Sequence, residues 1–585
     1  MSEINDIIKH CYKCKTAPCM KTCPIHNNIP LIIKLYEEEK YKEAYDVLIN
    51  NNPLFMLCGK TCDHMRFCGK SCTSQISKNI RIKFELIEED LFKRFAFNYQ
   101  FDKITKGKVL IVGAGPSGLM ASILLRKAGY DVCLIDKVDH IGGVIYSLIP
   151  SFRFDHKVLI DLENYLMPYI NIKLKTIFDD DFDITPYEKI IFCMGTEKAI
   201  SQLKNENVID GLTLLYNLKI KNEKITNKKI AVLGLGNVAV DCARSLKKLG
   251  NDVEIIYRRN VKNSKASLEE LETLKNENIM VRELLACVDY HNSTAKFKRM
   301  KLGEVDESNR QSFIPTNEFI DLEFDLLVEA YGSKPQIDYL SFDLALNDFL
   351  NHGYIEVKNY KNYFFLGDFY TGATSIVETL SKTKVDVLKI ISNDLVIENI
   401  KEKHSSKDIY FGGSFNPITK AHMQIYEYLR YNISPNVYLL PNSTIYPTKD
   451  LLSINERISL IKKAIPDALI DDTYCKMEFN GSVDFLRKKN HPLFVIGSDS
   501  LSTLDTWIDA ANLVKENYFI CFKRAEDDLN RIIKEHQLLN DYIDHFYFLD
   551  LDILAISSTT YRNSLDERIV SKSVHEEVLK KSFYR

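Results

Sequence analysis

The chain has 585 residues and a mass of 67.6 kDa, more than the roughly 250 to 300 residues that one hydrophobic core can organise. Its 77 Lys and Arg balance 80 Asp and Glu, and 45% of its residues are hydrophobic. These values exclude a single small binding module, wholesale disorder and a basic surface that coats nucleic acid. The opening MSEINDIIKH lacks an apolar signal core, and no run of about 18 apolar residues follows, so we expect a cytoplasmic protein with neither membrane nor nucleic-acid partners.

Eight of the 14 cysteines lie within the first 72 residues. They form two quartets, C-x2-C-x4-C-x3-C and C-x3-C-x5-C-x3-C: Cys11, Cys14, Cys19, Cys23, Cys58, Cys62, Cys68 and Cys72. A reducing compartment disfavours disulfides, which leaves metal or redox chemistry. Closely spaced cysteines can hold three corners of an iron–sulfur cubane while a distant one closes it, whereas C-x2-4-C pairs also suit zinc. The spacing favours two iron–sulfur clusters, with zinc as the alternative.

The cysteine-rich segment resembles the N-terminal double 4Fe-4S domain of the glutamate synthase small subunit, which dihydropyrimidine dehydrogenase shares. Two stretches carry the resemblance, KCKTAPCMKTCPIHNNIPLIIKLYEEEKYKEAYDVL and LCGKTCDHMRFCGKSC. The ligands it implies are Cys11, Cys14, Cys19 and Cys72 for one cluster, and Cys23, Cys62 and Cys68 for the second. Glu88 matches the position where relatives carry a non-cysteine ligand, so Cys58 is the least firmly assigned cysteine. Residues 30–50 are expected to form amphipathic helices.

A first dinucleotide-binding motif follows in KVLIVGAGPSGLMASILLRKAGYDVCLID. An apolar strand leads into a turn at Gly113, Gly115 and Gly118, then a helix, then a second strand that ends in Asp136. Such glycines let a pyrophosphate approach the helix N-terminus, and the acid accepts hydrogen bonds from a ribose. The motif alone fits FAD or NAD.

Three later segments resemble those of flavin-binding proteins and imply FAD at this motif. They are HIGGVIYSLIPSFRFD with Gly143, IIFCMGTEKA, and YFFLGDFYTGATSIVETL with Gly367 and Asp368. The resemblance implies that Asp368 holds the ribityl or pyrophosphate region of the flavin. Cys193-Met194-Gly195 stands where these proteins usually carry Ala-Thr-Gly.

A second dinucleotide motif, KKIAVLGLGNVAVDCARSLKKLGNDVEIIYRRN, interrupts the flavin segments. Its phosphate turn is expected at Gly234, Gly236 and Ala239, and Asn237 matches the GxGNxAxDxAR pattern of the reductase family. Arg258 and Arg259 stand at the end of the next strand, where an NAD-specific site would place an acid. Two guanidinium groups there suit a 2′-phosphate, so the sequence predicts NADPH rather than NADH.

Residues 1 to about 395 resemble the glutamate synthase small subunit almost without interruption. The resemblance implies a relay from NADPH through FAD to two 4Fe-4S clusters. The synthase half of that enzyme is a separate large subunit, so the electron acceptor stays open. A ferredoxin or a synthase-type large subunit is the expected class of partner.

A different pattern begins after NIKEKHSSKD, which we interpret as a linker at 399–408. IYFGGSFNPITKAHMQIYEYLR predicts a strand, a turn at Gly412, Gly413, Ser414 and Phe415, and a helix opening near His422. Far downstream, ISSTTYRNSL places Ser558, Thr559 and Arg562 at a predicted helix start, a ready anion site.

These two segments resemble the signature motifs of the nucleotidyltransferase superfamily. The sequence between them resembles that of nicotinate mononucleotide adenylyltransferase. That resemblance implies transfer from ATP with Mg²⁺ to nicotinate or nicotinamide mononucleotide, with His422, Thr419 and Arg562 as catalytic residues. Nucleotide-binding positions are implied at Gly497, Asp499, Trp507 and Arg524. The chain departs from the motif at Ala421, which replaces a glycine. A domain that only binds nucleotide, or one that transfers a cytidyl group or acts on phosphopantetheine, is the alternative.

The predicted fold is multidomain. It comprises an α-helical iron–sulfur domain, two nested Rossmann-like α/β dinucleotide-binding domains and a C-terminal Rossmann-like α/β nucleotidyltransferase domain. The expected boundaries are 1–100 for the iron–sulfur domain, 101–220 and 325–398 for the FAD domain, 221–324 for the NADPH domain, and 409–585 for the nucleotidyltransferase domain.

Overall fold

The computed structural model divides the chain into two compact units, Met1–Val387 and Leu388–Arg585. The residues it describes are 2–264, 266–305, 311–335, 362–442, 451–476, 481–523, 527–551, 553 and 555–584. Within them, every helix is either too short or too polar to span a membrane.

The N-terminal domain is built from helices, as predicted. Their bounds are α1 (Ser2–His10), α2 (Pro18–Thr22), α3 (Ile29–Glu37), α4 (Tyr41–Asn51), α5 (Phe55–Thr61), α6 (Thr73–Lys78) and α7 (Phe84–Phe95). The amphipathic helices expected at 30–50 are α3 and α4, which bury Ile32, Ile33, Tyr45 and Leu48 completely. The loops between these helices carry most of the cysteines.

The remainder of the first unit is α/β. Its strands are β1 (Lys108–Val112), β2 (Asp131–Ile135), β3 (Asn171–Lys173), β4 (Lys189–Phe192), β5 (Lys198–Ala199), β6 (Val208–Asp210), β7 (Lys229–Leu233), β8 (Asp252–Tyr257), β9 (Met280–Glu283), β10 (Leu285–His291), β11 (Thr294–Val305), β12 (Gln311–Glu323), β13 (Leu326–Glu329), β14 (Ser333–Lys334) and β15 (Asn362–Phe365). Its helices are α8 (Pro116–Lys127), α9 (Val144–Ser147), α10 (Lys157–Leu166), α11 (Gly211–Lys219), α12 (Asn237–Lys248), α13 (Leu268–Asn276), α14 (Asp368–Thr371) and α15 (Ile376–His404), the last of which continues into the second unit.

Two parallel sheets confirm the nested arrangement. The first has the order β15-β4-β1-β2-β3 and the second β6-β13-β7-β8-β9, with β15 returning to the first sheet after the second is complete. The antiparallel sheet β10-β11-β12 is inserted before β13. Because crossover helices cover parallel strands, both sheets bury nearly continuous apolar runs such as 109–112 and 230–233.

The predicted boundaries of the NADPH domain are wrong by several residues at each end. The strand β6 at Val208–Asp210 and the strand β13 at Leu326–Glu329 pair with each other and belong to the second sheet. They lie outside the predicted range of 221–324. A strand of three residues such as β6 carries too little alternation to be recognised before its partner is known.

The second unit contains one parallel sheet of order β18-β17-β16-β19-β20-β21. Its strands are β16 (Ile409–Gly413), β17 (Val437–Pro441), β18 (Leu469–Ile470), β19 (Leu493–Gly497), β20 (Tyr518–Phe522) and β21 (Phe546–Leu549). Its further helices are α16 (Lys420–Asn432), α17 (Ile454–Ala464), α18 (Thr473–Lys476), α19 (Ser482–Lys488), α20 (Ser498–Leu501), α21 (Ala510–Glu516), α22 (Leu529–Glu535), α23 (Gln537–Asp541), α24 (Ser558–Ser564) and α25 (Lys572–Lys580). The domain matches the predicted Rossmann-like class.

The predicted linker at 399–408 is wrong for its first six residues. The helix α15 runs through them to His404. Ile397 and Ile400 are buried in the core of the second unit. Lys and Glu are strong helix formers, so this polar run continues the helix once those two side chains are buried.

Candidate functional site

A cavity of about 510 Å³ lies at the carboxyl edge of the first parallel sheet. Its lining includes the predicted flavin-binding residues Gly113, Gly115, Asp136, Gly143 and Asp368. Ligands of α/β sheets bind at this edge, and small-molecule sites typically enclose about 300 to 1,000 Å³. The cavity therefore has the place and the size that a bound flavin requires.

The glycine turn of this cavity brings a helix close to a strand. A Cβ on Gly118 would overlap the carbonyl oxygen of Gly113, and Gly113 has φ +105°. Gly115 has φ −74° and ψ −174°, and a Cβ there would meet only the Gly143 Cα, at 3.9 Å. Gly118 thus permits packing, whereas Gly115 leaves space in front of the N-terminus of α8 for a phosphate.

Two carboxylates face the same cavity. The Ala114 N–H donates to Asp136 Oδ2 at 2.6 Å, which holds that acid at the end of β2. The Thr374 hydroxyl donates to Asp368 Oδ1 at 2.7 Å and the Thr379 hydroxyl at 2.5 Å. Burial raises the pKa of Asp368 and these hydroxyl donors oppose the rise. The two threonines were not anticipated from the sequence.

A second glycine turn lies at the edge of the β7–β8 sheet. Gly234 has φ +132°, and a Cβ on Gly236 would meet nothing within 4 Å. Arg258 and Arg259 follow directly after β8, beside this turn, because β8 pairs with β7 in parallel. The structure therefore brings the predicted arginine pair to the edge where a bound nucleotide would place its ribose.

A buried ion pair joins the two dinucleotide folds. Arg153 Nη1, from the flavin side, donates to both carboxylate oxygens of Asp241 on α12, at 2.7 Å each. Asp241 is 5% exposed. Glu270 lies 3.5 Å from the same guanidinium group. Removing one partner of such a pair leaves an uncompensated buried charge, which is strongly destabilising.

The first group of thiols contains Cys11, Cys14, Cys19 and Cys72. Burial raises the pKa of Cys19 to about 12, and the nearby Cys72 and Cys11 thiols add to the rise. Cys14 Sγ lies 3.3 Å from the hydroxyl of Thr73, the neighbour of Cys72. These are the four cysteines that the resemblance assigns to one cluster.

The second group contains Cys23, Cys62 and Cys68 around the fully buried carboxyl of Glu88. Burial raises the pKa of Cys68, and Cys62, Cys23 and Glu88 add to the rise. Burial also raises the pKa of Glu88 well above its usual range. The three thiols are donors that an iron–sulfur cluster uses, and Glu88 stays a prediction as the fourth.

Cys58 also belongs near this group. A hydrogen bond with Cys58 is the largest cause that raises the pKa of Cys62. Within the described residues, no three His, Cys, Asp or Glu side chains of either group are placed so that they could coordinate one metal ion. The ligand sets therefore rest on proximity and donor chemistry, and Cys58 stays a prediction.

The N-terminal half of α15 connects the flavin cavity with the second thiol group. Ile376 and Thr379 line the cavity. On the same helix, Glu378 accepts a hydrogen bond from Arg66 at 3.2 Å, and the Ser381 hydroxyl donates to the Pro24 carbonyl at 2.7 Å. Pro24 follows Cys23 and Arg66 lies two residues before Cys68, so one helix spans the distance between the two sites.

In the second unit, Thr419 and His422 form a pair at the start of α16. The Thr419 N–H donates to His422 Nδ1 at 3.2 Å, and the Thr419 hydroxyl lies 2.7 Å from the same nitrogen. Because Nδ1 accepts from a backbone donor, the neutral ring carries its proton on Nε2. Thr419 therefore sets the orientation and the neutral tautomer of the His422 ring.

The start of α24 contacts the loop that precedes this pair. Arg562 Nη1 donates to the Asn416 carbonyl at 2.7 Å and Nη2 to the Thr559 hydroxyl at 3.0 Å. The Ser558 hydroxyl donates to the Pro417 carbonyl at 2.8 Å. Predicted motifs more than 130 residues apart therefore meet at one sheet edge.

Arg457 is a site residue that sequence reasoning missed. Its guanidinium group is fully buried and donates to the carbonyls of Ser414 and Asn442 at 2.7 Å and of Leu452 at 3.1 Å. It ties the loop after β16 to α17. An arginine on an amphipathic helix is normally expected to be exposed to solvent. The sequence therefore gives no indication that Arg457 is buried and binds backbone carbonyls.

The structure brings together some, but not all, of the remaining predicted site residues of this domain. Gly412 and Gly413 end β16, and Gly497 ends its parallel neighbour β19, so all three lie at one edge. Phe415 is fully buried beneath the loop, and Asp499 is exposed on α20. Trp507 packs against an apolar core on one side of the sheet. Arg524 lies outside the described residues, as do residues 443–450 of the resembling segment.

Three family models match successive parts of the chain. The model described as dihydropyrimidine dehydrogenase domain II, 4Fe-4S cluster, matches residues 2–102. The pyridine nucleotide-disulphide oxidoreductase model matches residues 107–378, and the cytidylyltransferase-like model matches residues 410–564. The chain therefore combines an iron–sulfur domain, a Rossmann-like FAD/NAD(P) oxidoreductase domain and a cytidylyltransferase-like α/β domain.

Several curated proteins are similar to this chain over 56% to 67% of its length. The putative oxidoreductase YgfK of Escherichia coli K12 is 28% identical over 67% of this chain and 39% of its own length. The NADP(+)-dependent formate dehydrogenase subunit beta of Moorella thermoacetica is 27% identical over 63% of this chain and 58% of its own. The glutamate synthase [NADPH] small chain of E. coli K12 is 27% identical over 56% of this chain and 76% of its own length.

This chain thus spans less than two thirds of the length of the first two of these relatives. A solved structure of Mycobacterium tuberculosis FprA in complex with NADPH has a TM-score of 0.44 at 15% identity, over 56% of this chain and 90% of that one.

The glycine turn of the flavin cavity yields a first prediction. Gly118→Ala should lower the free energy of unfolding by about 1 to 3 kcal/mol, because the added methyl overlaps the Gly113 carbonyl and forces α8 away from β1. Gly115→Ala should leave stability nearly unchanged but reduce retained FAD, because its methyl projects where the pyrophosphate would lie. Urea unfolding and flavin released from purified protein measure the two effects. Equal loss of stability in both variants would contradict the division of roles.

Proposed function

We propose that the first unit is an NADPH-dependent oxidoreductase that passes electrons from FAD to two 4Fe-4S clusters. The observation that carries the proposal is the helix α15, which lines the flavin cavity and also contacts the residues beside Cys23 and Cys68. A flavin bound in this cavity would supply hydride acceptance and single-electron release. The residues of α15 would hold it close to the second thiol group, which would hold the cluster that receives the electrons.

When bound, NADPH, FAD and the clusters supply the hydride and electron transfer. The chain's own residues bind and orient these groups. Gly115 and Gly236 open the approach to two pyrophosphates, and Asp136 and Asp368 hold the ribose and ribityl ends of the flavin. Arg153 and Asp241 join the two dinucleotide folds and would hold the two bound cofactors next to each other.

The choice of NADPH follows from the charge at the end of β8. Arg258 and Arg259 lie beside the phosphate turn, where an acid would repel a 2′-phosphate and a guanidinium group binds it bidentately. Two similar proteins, the NADP(+)-dependent formate dehydrogenase subunit beta and the glutamate synthase [NADPH] small chain, carry names that support the same class of donor.

The acceptor of the electrons is proposed to be a protein. The two relatives named as a subunit and a small chain imply a partner chain, either of the ferredoxin class or of the synthase large-subunit class. Co-purification of a stoichiometric partner would identify this class.

We propose that the second unit transfers an adenylyl group from Mg-ATP to nicotinate or nicotinamide mononucleotide. The His422 ring, the Arg562 guanidinium group and the N-terminus of α16 lie beside the loop that follows β16, where they can stabilise charge on a transferring phosphate. The nucleophile is the phosphate of the mononucleotide, and pyrophosphate leaves in line. No covalent enzyme intermediate is required.

The arginine pair can be tested by nucleotide preference. Replacing both Arg258 and Arg259 with Ala should lower kcat/KM for NADPH by about 100-fold or more, since charge-assisted hydrogen bonds are worth about 1.5 to 3 kcal/mol each. The value for NADH should change little. The measurement is steady-state reduction of ferricyanide, with Lys248→Ala at the opposite end of α12 as the control. Equal losses for both nucleotides would contradict a 2′-phosphate site.

The second unit can be tested by pyrophosphate release. Mg-ATP with nicotinate or nicotinamide mononucleotide should give turnover that falls about 100- to 1,000-fold in His422→Ala, because one oriented donor to the transferring phosphate is lost. Thr419→Ser should retain turnover, since it keeps the hydroxyl that orients the ring. Parallel assays with CTP and with phosphopantetheine separate the alternative transfers. Absence of turnover with every pair would reduce this unit to a nucleotide-binding module.

A further inference from the structure

Phe313 lies on β12, in the antiparallel insertion of the second dinucleotide fold, and no motif marks it. Its half-buried ring faces the end of β8. The Arg258 guanidinium carbon lies 4.5 Å from the ring centroid and that of Arg259 lies 5.1 Å from it. One aromatic ring thus contacts both members of the arginine pair.

Backbone hydrogen bonds fix the ring relative to the arginines. The Leu284 N–H donates to the Arg259 carbonyl at 3.3 Å, and the Met300 N–H donates to the Leu284 carbonyl at 2.8 Å. Met300 on β11 pairs with Pro315 on β12, two residues from Phe313. These bonds hold β12 beside the end of β8, so the backbone positions of Phe313 and of the arginine pair are fixed relative to each other.

We propose that Phe313 is a specificity-determining residue of the nucleotide site, whose ring holds Arg258 and Arg259 as a preformed receptor for a 2′-phosphate. The inference rests on the proposed use of NADPH. It adds a residue from outside the dinucleotide motif to the discrimination between NADPH and NADH.

The physical reason lies in how an aromatic face binds a guanidinium group. The ring attracts the cation through its negative face, and this contact uses none of the N–H donors in the guanidinium plane. A long arginine side chain otherwise loses considerable rotamer freedom on binding. Holding both guanidinium groups in advance removes part of that cost, and only a ligand with a 2′-phosphate gains from it.

The strand β12 offers a matched control. Phe319 is 50% exposed and lies under Lys296 and Lys298, at 5.0 and 5.4 Å from the ring centroid. It has the same chemistry on the same strand but faces no part of the nucleotide turn that we identify. Phe319→Ala therefore reports any general effect of removing an aromatic ring from the insertion.

The test is calorimetric binding to the full chain of adenosine 2′,5′-bisphosphate and of adenosine 5′-monophosphate, which differ only in the 2′-phosphate. Phe313→Ala and Phe313→Leu should weaken the bisphosphate by about 3- to 30-fold and leave the monophosphate unchanged, the range of one or two cation–π contacts. Phe313→Tyr should restore the wild-type ratio. Phe319→Ala should match wild type for both ligands.

Three results overturn the proposal. Phe313→Leu that binds like wild type would show that apolar bulk is sufficient, and equal weakening of both ligands would show a structural role. Tighter bisphosphate binding by Phe313→Ala would show that the ring obstructs the pair. The double variant Arg258→Ala/Arg259→Ala tests separately whether the arginine pair binds the 2′-phosphate. If this variant binds both ligands as wild type does, the 2′-phosphate site lies elsewhere and the NADPH assignment itself is wrong.

Discussion

The close approach of a helix N-terminus to the carboxyl edge of a parallel sheet is the constraint on which both units depend. Backbone N–H groups at such an end carry partial positive charge and have no partner within the helix. They become useful only if the turn before the helix leaves room for an anion. Gly115 and Gly236 leave that room in the first unit, and the loop at Gly412 and Gly413 leads into α16 in the second.

The sequence predicts these turns well because their geometry needs particular residues. Gly113 has a positive φ, and Gly118 has no space for a side chain, so both positions require glycine. The motif can therefore be recognised from the sequence alone. The helix start at Ser557 is predicted for a similar reason, since its hydroxyl accepts a hydrogen bond from the Thr560 N–H. Local chemistry of this kind requires no knowledge of distant contacts.

Features that depend on distant partners were missed or misplaced. The strand β6 exists because β13, more than 100 residues later, supplies its hydrogen bonds. The run at 399–404 is helical because Ile397 and Ile400 enter the core of the second unit. Arg457 and Phe313 act through carbonyls and guanidinium groups that only the fold brings near them. In each case the residue type is ordinary and its environment is decisive.

Within the first unit, α15 contacts both the flavin cavity and the residues beside Cys23 and Cys68. The most direct measurement is electron paramagnetic resonance of anaerobically purified protein, frozen after mixing with NADPH in the absence of any other protein. We expect bleaching of the flavin together with the signal of a reduced 4Fe-4S cluster, because the donor site, the flavin site and both thiol groups lie on this chain. Flavin bleaching without any cluster signal, or stoichiometric zinc in place of iron, would contradict it.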